Sequence, residues 1–162
     1  MKDLSNYPLA LQLLMHTDGT VTELIKLLAQ EDIRVVKLAE KINSDDDNIL
    51  DRHIYLQGVK TNKNWLYAHS KIFLDNLPPE FVTDLLENAI PIGTLWSSYR
   101  METYKNLIDQ HEEKSNGCDA SGFKAGTMLL TRTYLVYNQN KTIMEITEKF
   151  PLSAYQNNSV TK

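Results

Sequence analysis

Residues 128–150, "MLLTRTYLVYNQNKTIMEITEKF", constrain the fold more than any other part of the chain. Two runs rich in β-branched and aromatic residues flank Gln139 and Asn140, the pattern of a β-hairpin. An isolated hairpin is marginal in water, so more strands must join it. In a strand, alternate side chains share a face. Leu130, Arg132, Tyr134 and Val136 therefore point one way, and Met144, Ile146, Glu148 and Phe150 share a face on the second strand. The earlier run "ILDRHIYL" does the same with Leu50, Arg52, Ile54 and Leu56. Three charged residues, Arg52, Arg132 and Glu148, thus lie in phase with apolar stripes. Charged side chains are rarely buried without a partner. Periodicity alone leaves two readings open: an inter-strand ion-pair cluster, or a polar patch on the floor of a ligand cavity. Glu145, in phase with Thr147 and Lys149, reads as a solvated residue of the other face.

The remaining segments complete an α+β domain, an antiparallel β-sheet with helices packed over one side. "LSNYPLALQLLMHTDG" reads as a first helix ended by Gly19, and "TVTELIKLLAQ" as a second, with Thr20 and Glu23 spaced as a capping box. The free N–H groups at the start of that second helix favour a carboxylate, while Asp18 and Thr22 read as local turn and capping residues. "DIRVVKLAEKI" is a strand and "KINSDDDN" a turn. "ILDRHIYLQG" and "NWLYAHSKIFL" form a hairpin through "GVKTNK". "LPPEFVTDLLENA" is a short helix begun by prolines, "IPIGTLW" a tight connection and "SSYRMETYKNLIDQ" a strand. Residues 111–126 read as a polar loop. With no internal repeat or linker, residues 1–162 are expected to form one domain.

Composition removes several function classes. The net charge of −4 and the lack of a basic stripe argue against nucleic acid as a partner. No apolar run reaches the roughly 18 residues of a membrane span, and the N-terminus does not read as a signal peptide. One cysteine, Cys118, excludes an internal disulfide and fits a reducing compartment. His16, His53, His69 and His111 show no metal-ligand spacing along the chain, and "SDDDN" lacks the glycine and terminal glutamate of a calcium loop. No phosphate-binding glycine loop or nucleophile elbow is present. Trp65, Tyr67 and Trp96 read as packing residues. Neither metal nor cofactor is expected, and the oligomeric state is not legible.

The ordered series "TDGTVTELI", "ILDRHIYL", "WLYAHSKIFLDNLPPEF", "PIGTLW", "TRTYLVY" and "IMEITEKFPLSAY" resembles the chorismate lyase (chorismate pyruvate-lyase) family. It is most similar to the compact branch of cyanobacteria, archaea and algal plastids, over about residues 9 to 155. The resemblance implies cofactor-free conversion of chorismate to 4-hydroxybenzoate and pyruvate in a buried site under helices. It implies that Arg52 holds the aromatic carboxylate and that Glu148 lies at the hydroxyl end. It also implies that the Val21 backbone N–H contacts the carboxylate, that Arg132 lies on the neighbouring strand, and that Gly93 belongs to a turn beside the pocket. Arg52 and Glu148 are the expected catalytic residues; Arg52, Arg132, Val21 and Gly93 are the expected substrate contacts. His69 stands where the enterobacterial-type enzymes carry an arginine. The competing expectation is a non-catalytic effector-binding domain of the same fold, as in bacterial transcription regulators, although residues 1–8 leave no room for a winged helix. Richness in Lys, Asn, Ile and Tyr suggests an AT-rich genome, so plastid stroma fits as well as bacterial cytoplasm.

Overall fold

The computed structural model describes residues 3–43 and 48–156. Of the turn expected at "KINSDDDN", Lys41 to Asn43 instead continue the first strand, and residues 44–47 fall outside the described residues. Six strands form one antiparallel sheet: β1 (Ile33–Asn43), β2 (Ile49–Gly58), β3 (Asn64–Phe73), β4 (Tyr104–Lys114), β5 (Met128–Asn138) and β6 (Lys141–Pro151). Their order across the sheet is β1-β2-β3-β6-β5-β4. The expected hairpins β2–β3 and β5–β6 form, the second turning through Gln139 and Asn140, both at positive φ.

The helices depart from expectation at their ends. α1 spans Leu9–His16 and begins only after Pro8, whose carbonyl accepts from the Leu11 and Gln12 N–H groups. Its buried Ala10, Leu11, Leu14 and Met15 follow the helical repeat. It ends at an extended Thr17 rather than at Gly19. α2 spans Val21–Ala29, but Thr20 makes no side-chain capping bond, so the capping box does not form. The Thr20 side chain packs instead on Gly93, with Cγ2 2.6 Å from where a Cβ at that glycine would sit. α3 (Pro79–Glu87) begins with proline as expected. "IPIGTLW" is not a tight connection: Ile92–Ser98 form α4, following Pro91 and burying Leu95. Gly93 and the β-branched Ile92 and Thr94 are weak helix formers, which hid this helix from a propensity reading.

β4 begins later and runs further than the sequence implies, so His111 to Lys114 are strand and the polar connection to β5 starts at Ser115. As an edge strand that is mostly solvent-exposed, β4 lacks the alternation that marks β2, β5 and β6.

The helical face of the sheet carries two apolar clusters rather than one. One joins Ile54, Leu56, Leu66, Ala68, Leu130 and Phe150 to Leu11, Leu14 and Ile25 of α1 and α2. The other joins Leu50, Ile72, Tyr134, Val136, Met144 and Ile146 to Phe81, Leu85 and Leu95 of α3 and α4. The residue two positions along each central strand separates them: Arg52 on β2, Ser70 on β3, Glu148 on β6 and Arg132 on β5. Strand register extends this polar row to both edges, since Glu40 pairs with Arg52 and Gln110 with Arg132.

Candidate functional site

The polar row is buried: Arg52 is 1% exposed, Ser70 and Arg132 3% each and Glu148 5%. Its two halves differ in how they are satisfied. On β5 and β6, Arg132 Nε donates to Glu148 Oε2 at 2.7 Å, and Arg132 Nη1 donates to the Thr17 carbonyl at 3.2 Å. The Tyr134 hydroxyl donates to Glu148 Oε1 at 2.9 Å. Arg132 Nη2 has no hydrogen-bond partner among the described residues. Burial works against the Arg132 charge, but Glu148, Tyr134 and Asp18 together outweigh it and raise the guanidinium's pKa. Burial, reinforced by Glu148, pushes the Tyr134 phenol well above its ordinary range, so it stays a donor.

Arg52 is the opposite case. None of its three guanidinium nitrogens has a hydrogen-bond partner among the described residues. Its nearest carboxylate is Glu40, with Oε2 3.4 Å from Nε. Burial lowers the Arg52 pKa and Glu40 offsets only part of that. Arg52 and Glu148 are therefore not a pair; Glu148 belongs to Arg132.

Above the row lies a chamber walled by the start of α2, by α4 and by the sheet. Val21, Thr22, Ile54, Ala68, Ser70, Gly93, Trp96, Lys105, Tyr134, Ile146 and Glu148 line it. Arg52 does not line it directly; its cross-strand partner Ser70 does. A second cavity, lined by Met15, Thr17, Asp18, Arg132 and others, shares Lys105 and Tyr134 with the chamber. The chamber holds about 60 Å³ and the second cavity about 150 Å³. Ligand pockets usually offer roughly 300 Å³ or more, so a ring-sized guest requires the walls to move apart.

Of the residues expected at a site, Val21, Gly93 and Glu148 line the chamber, Arg132 lines the adjoining cavity, and Arg52 lines neither but stands beside Ser70 on the next strand. The first N–H groups of α2 have no carbonyl one turn back to receive them. Gly93 lies in a helix rather than a turn, and its missing Cβ lets α4 approach Thr20 at the head of α2.

Lys105 was invisible to the sequence reading. It projects from the edge strand β4, donates from Nζ to the Gly19 carbonyl at 2.9 Å, and stands 5.2 Å from the Tyr134 ring centre and 5.6 Å from that of Trp96. Burial lowers its pKa, partly offset by Glu148 and reinforced by Arg132. Strand β4 shows no alternation that would flag it. Tyr134 did carry a signal, lying two residues from Arg132 in the same phase. Trp96 is a wall of the chamber rather than a simple packing residue. His69 faces away from the chamber and meets Asp51 and His53 on the opposite side of the sheet, which linear spacing does not reveal. Glu145, on that same side, pairs with Lys71 near solvent.

The arrangement provides cationic and N–H donors around an apolar space, with one carboxylate held from both sides. Such a site fits an anionic ring that must be oriented and must exchange a proton.

The sequence profile of the family described as "Chorismate pyruvate-lyase Rv2949c-like" matches residues 15–157. A Mycobacterium leprae protein named chorismate pyruvate-lyase is 34% identical over 106 residues, which is 59% of this chain and half of that protein. The chorismate pyruvate-lyase of Mycobacterium tuberculosis H37Rv is 24% identical over 167 residues, covering 90% of this chain and 81% of the relative. Among solved structures, the effector domain of PhnF from Mycobacterium smegmatis superposes with a TM-score of 0.60 at 13% identity, covering 82% of this chain and 88% of that one. That likeness extends to the fold alone. Among the described residues, no helix is long and apolar enough to cross a membrane.

Proposed function

This chain belongs to the Rv2949c-like chorismate pyruvate-lyase family, and we propose that it converts chorismate to 4-hydroxybenzoate and pyruvate without a cofactor. The observation that carries this reading is the polar row between two apolar clusters, with one guanidinium, that of Arg52, left without a hydrogen bond among the described residues.

In the proposed reaction the ring loses the proton on its hydroxyl-bearing carbon, and the adjacent carbon–oxygen bond to the enolpyruvyl group breaks. The ring electrons become aromatic, and the expelled enolpyruvate takes up a proton to give pyruvate. Arg52 and the N-terminus of α2 clamp the ring carboxylate. Glu148, fixed by Arg132 and Tyr134, lies at the hydroxyl end and accepts the proton. Lys105 and the free Nη2 of Arg132, which border the second cavity, receive the enolpyruvyl carboxylate and stabilise the leaving group. Catalysis is then mainly orientation of a dianion plus one proton transfer. The product would supply a quinone ring, in a bacterial cytoplasm or a plastid stroma.

The experiment is incubation of purified protein with chorismate, with and without chelator, and separation of the products. Equal amounts of 4-hydroxybenzoate and pyruvate, unchanged by chelator, are expected. Chorismate or 4-hydroxybenzoate binding without turnover would make the chain a ligand-binding domain of the effector type instead.

A further inference from the structure

The sheet face opposite the chamber carries a cluster that the proposed reaction does not use. His53 on β2 and His69 on β3 are direct cross-strand partners. Their rings stack with centres 4.2 Å apart, within 6° of parallel. Asp51 precedes His53 by two residues, so the pleat returns it to the same face. Its Oδ1 lies 2.8 Å from His53 Nε2 and its Oδ2 3.1 Å from His69 Nε2. One ligand atom from each of the three residues can be chosen so that all lie within 4.8 Å of one another. The geometry points to a site for one first-row transition-metal ion of the Zn²⁺ type, bound by His53, His69 and Asp51, with water completing its shell.

Two imidazoles and a carboxylate suit zinc, cobalt or nickel, whereas calcium and magnesium prefer oxygen ligands throughout. Ligand atoms at about 2.0–2.1 Å from a tetrahedral ion stand roughly 3.3 Å apart. An ion bound through one Asp51 oxygen would open that oxygen's contact with its histidine by only a few tenths of an ångström, from 2.8 Å for His53 or 3.1 Å for His69, while the carboxylate turns to bring the same oxygen toward the other ring. The imidazoles must tilt out of their stack so that the two Nε2 lone pairs converge. His53 has an outer partner for this: its Nδ1 lies 2.5 Å from the Tyr67 hydroxyl. Donation from Nδ1–H to that oxygen leaves Nε2 free to ligate, the usual support for a metal-bound histidine. The side chains of the trio are between 19% and 30% exposed, open to an ion from solvent yet anchored on two paired strands. The nearby ammonium groups have other carboxylates: Lys71 pairs with Glu145, and Lys149 with Glu113 and Asp119.

The test uses untagged, chelator-stripped full-length protein titrated with Co²⁺ by visible absorption and with Zn²⁺ by calorimetry. One Co²⁺ per chain, with the intense bands of a four-coordinate site and displaceable by Zn²⁺, is expected. His53→Ala and His69→Ala should each bind at least about a hundredfold more weakly, and Tyr67→Phe about tenfold to a hundredfold more weakly. His111→Ala, on β4, should bind like wild type. Wild-type protein that takes up no stoichiometric ion overturns the inference whether or not the variants fold. So does wild-type affinity in either ligand variant, which would leave the trio a hydrogen-bonded cluster only. No readout involves chorismate, so the outcome is independent of the proposed reaction.

Discussion

Arg52→Met removes a guanidinium whose three nitrogens lack a hydrogen bond among the described residues and puts an apolar chain of similar length in its place. The only carboxylate near Arg52 among the described residues is Glu40, at 3.4 Å. Glu40 also meets Lys37 at 3.4 Å and is partly exposed, so the substitution does not strand it. The neighbours along β2 are Leu50 and Ile54, members of the two apolar clusters, and methionine can bridge them. Replacing a poorly paired buried charge by an apolar residue of like volume is neutral to stabilising by about 1–4 kcal/mol. For a chain of this size each kcal/mol moves Tm by about 2–4 °C. Tm should therefore hold or rise by several degrees. Affinity for 4-hydroxybenzoate should fall by about 1.5–3 kcal/mol, the value of a charge-assisted contact, or roughly tenfold to a hundredfold. Thermal melts and product calorimetry on the same preparation measure both. A variant that melts well below wild type and binds product normally would show that Arg52 serves the fold, and the reasoning would fail.

Glu148→Ala strands Arg132 and should cost about 3–5 kcal/mol in chemical denaturation, whereas Glu148→Gln keeps the shape and should fold and bind product while turning over slowly. Lys105→Met should weaken binding of a substrate with two carboxylates more than that of 4-hydroxybenzoate, seen as a raised KM with little change in product affinity. Gly93→Ala drives a methyl into Thr20; overpacking of about 1–3 kcal/mol, partly offset by alanine's better helix propensity of about 1 kcal/mol, should cost more in product affinity than in Tm. Tyr67 has its pKa pushed up to about 12 by burial, aided by Asp119 and Asp51. Its folded pKa is above the unfolded value near 10, so its stabilising contribution is present below pH 10 and is lost as pH rises through about 12. Ultraviolet titration of phenolate across that window checks this, and a Tyr67→Phe variant should lose less stability over it.

The parts of the fold that alternate were legible in the sequence. β2, β5 and β6 are half-buried strands, and their phase placed Arg52, Arg132 and Glu148 on the helical face. What phase could not supply was partnership. Both arginines looked equivalent, yet cross-strand register gives Glu148 to Arg132 and leaves Arg52 beside Ser70 and Glu40. Helix α4 was hidden because Pro91, Gly93 and two β-branched residues argue locally for a turn, while its stability comes from burying Leu95. Lys105 was hidden for a related reason. An edge strand exposed along most of its length has no apolar stripe against which a charge stands out. The histidine cluster shows the same limit, since His53 and His69 are 16 positions apart and meet only through strand pairing.

Structure determination with 4-hydroxybenzoate bound tests the central claim most directly. The account predicts the carboxylate between Arg52 and the first N–H groups of α2, the ring between Ile54 and Ile146, and the phenol oxygen within hydrogen-bond distance of Glu148. The Arg132–Glu148 pair should stay intact, with α4 displaced outward to admit the ring. A product molecule bound elsewhere, with Arg52 still without a contact and the row between the two apolar clusters unchanged, would contradict it.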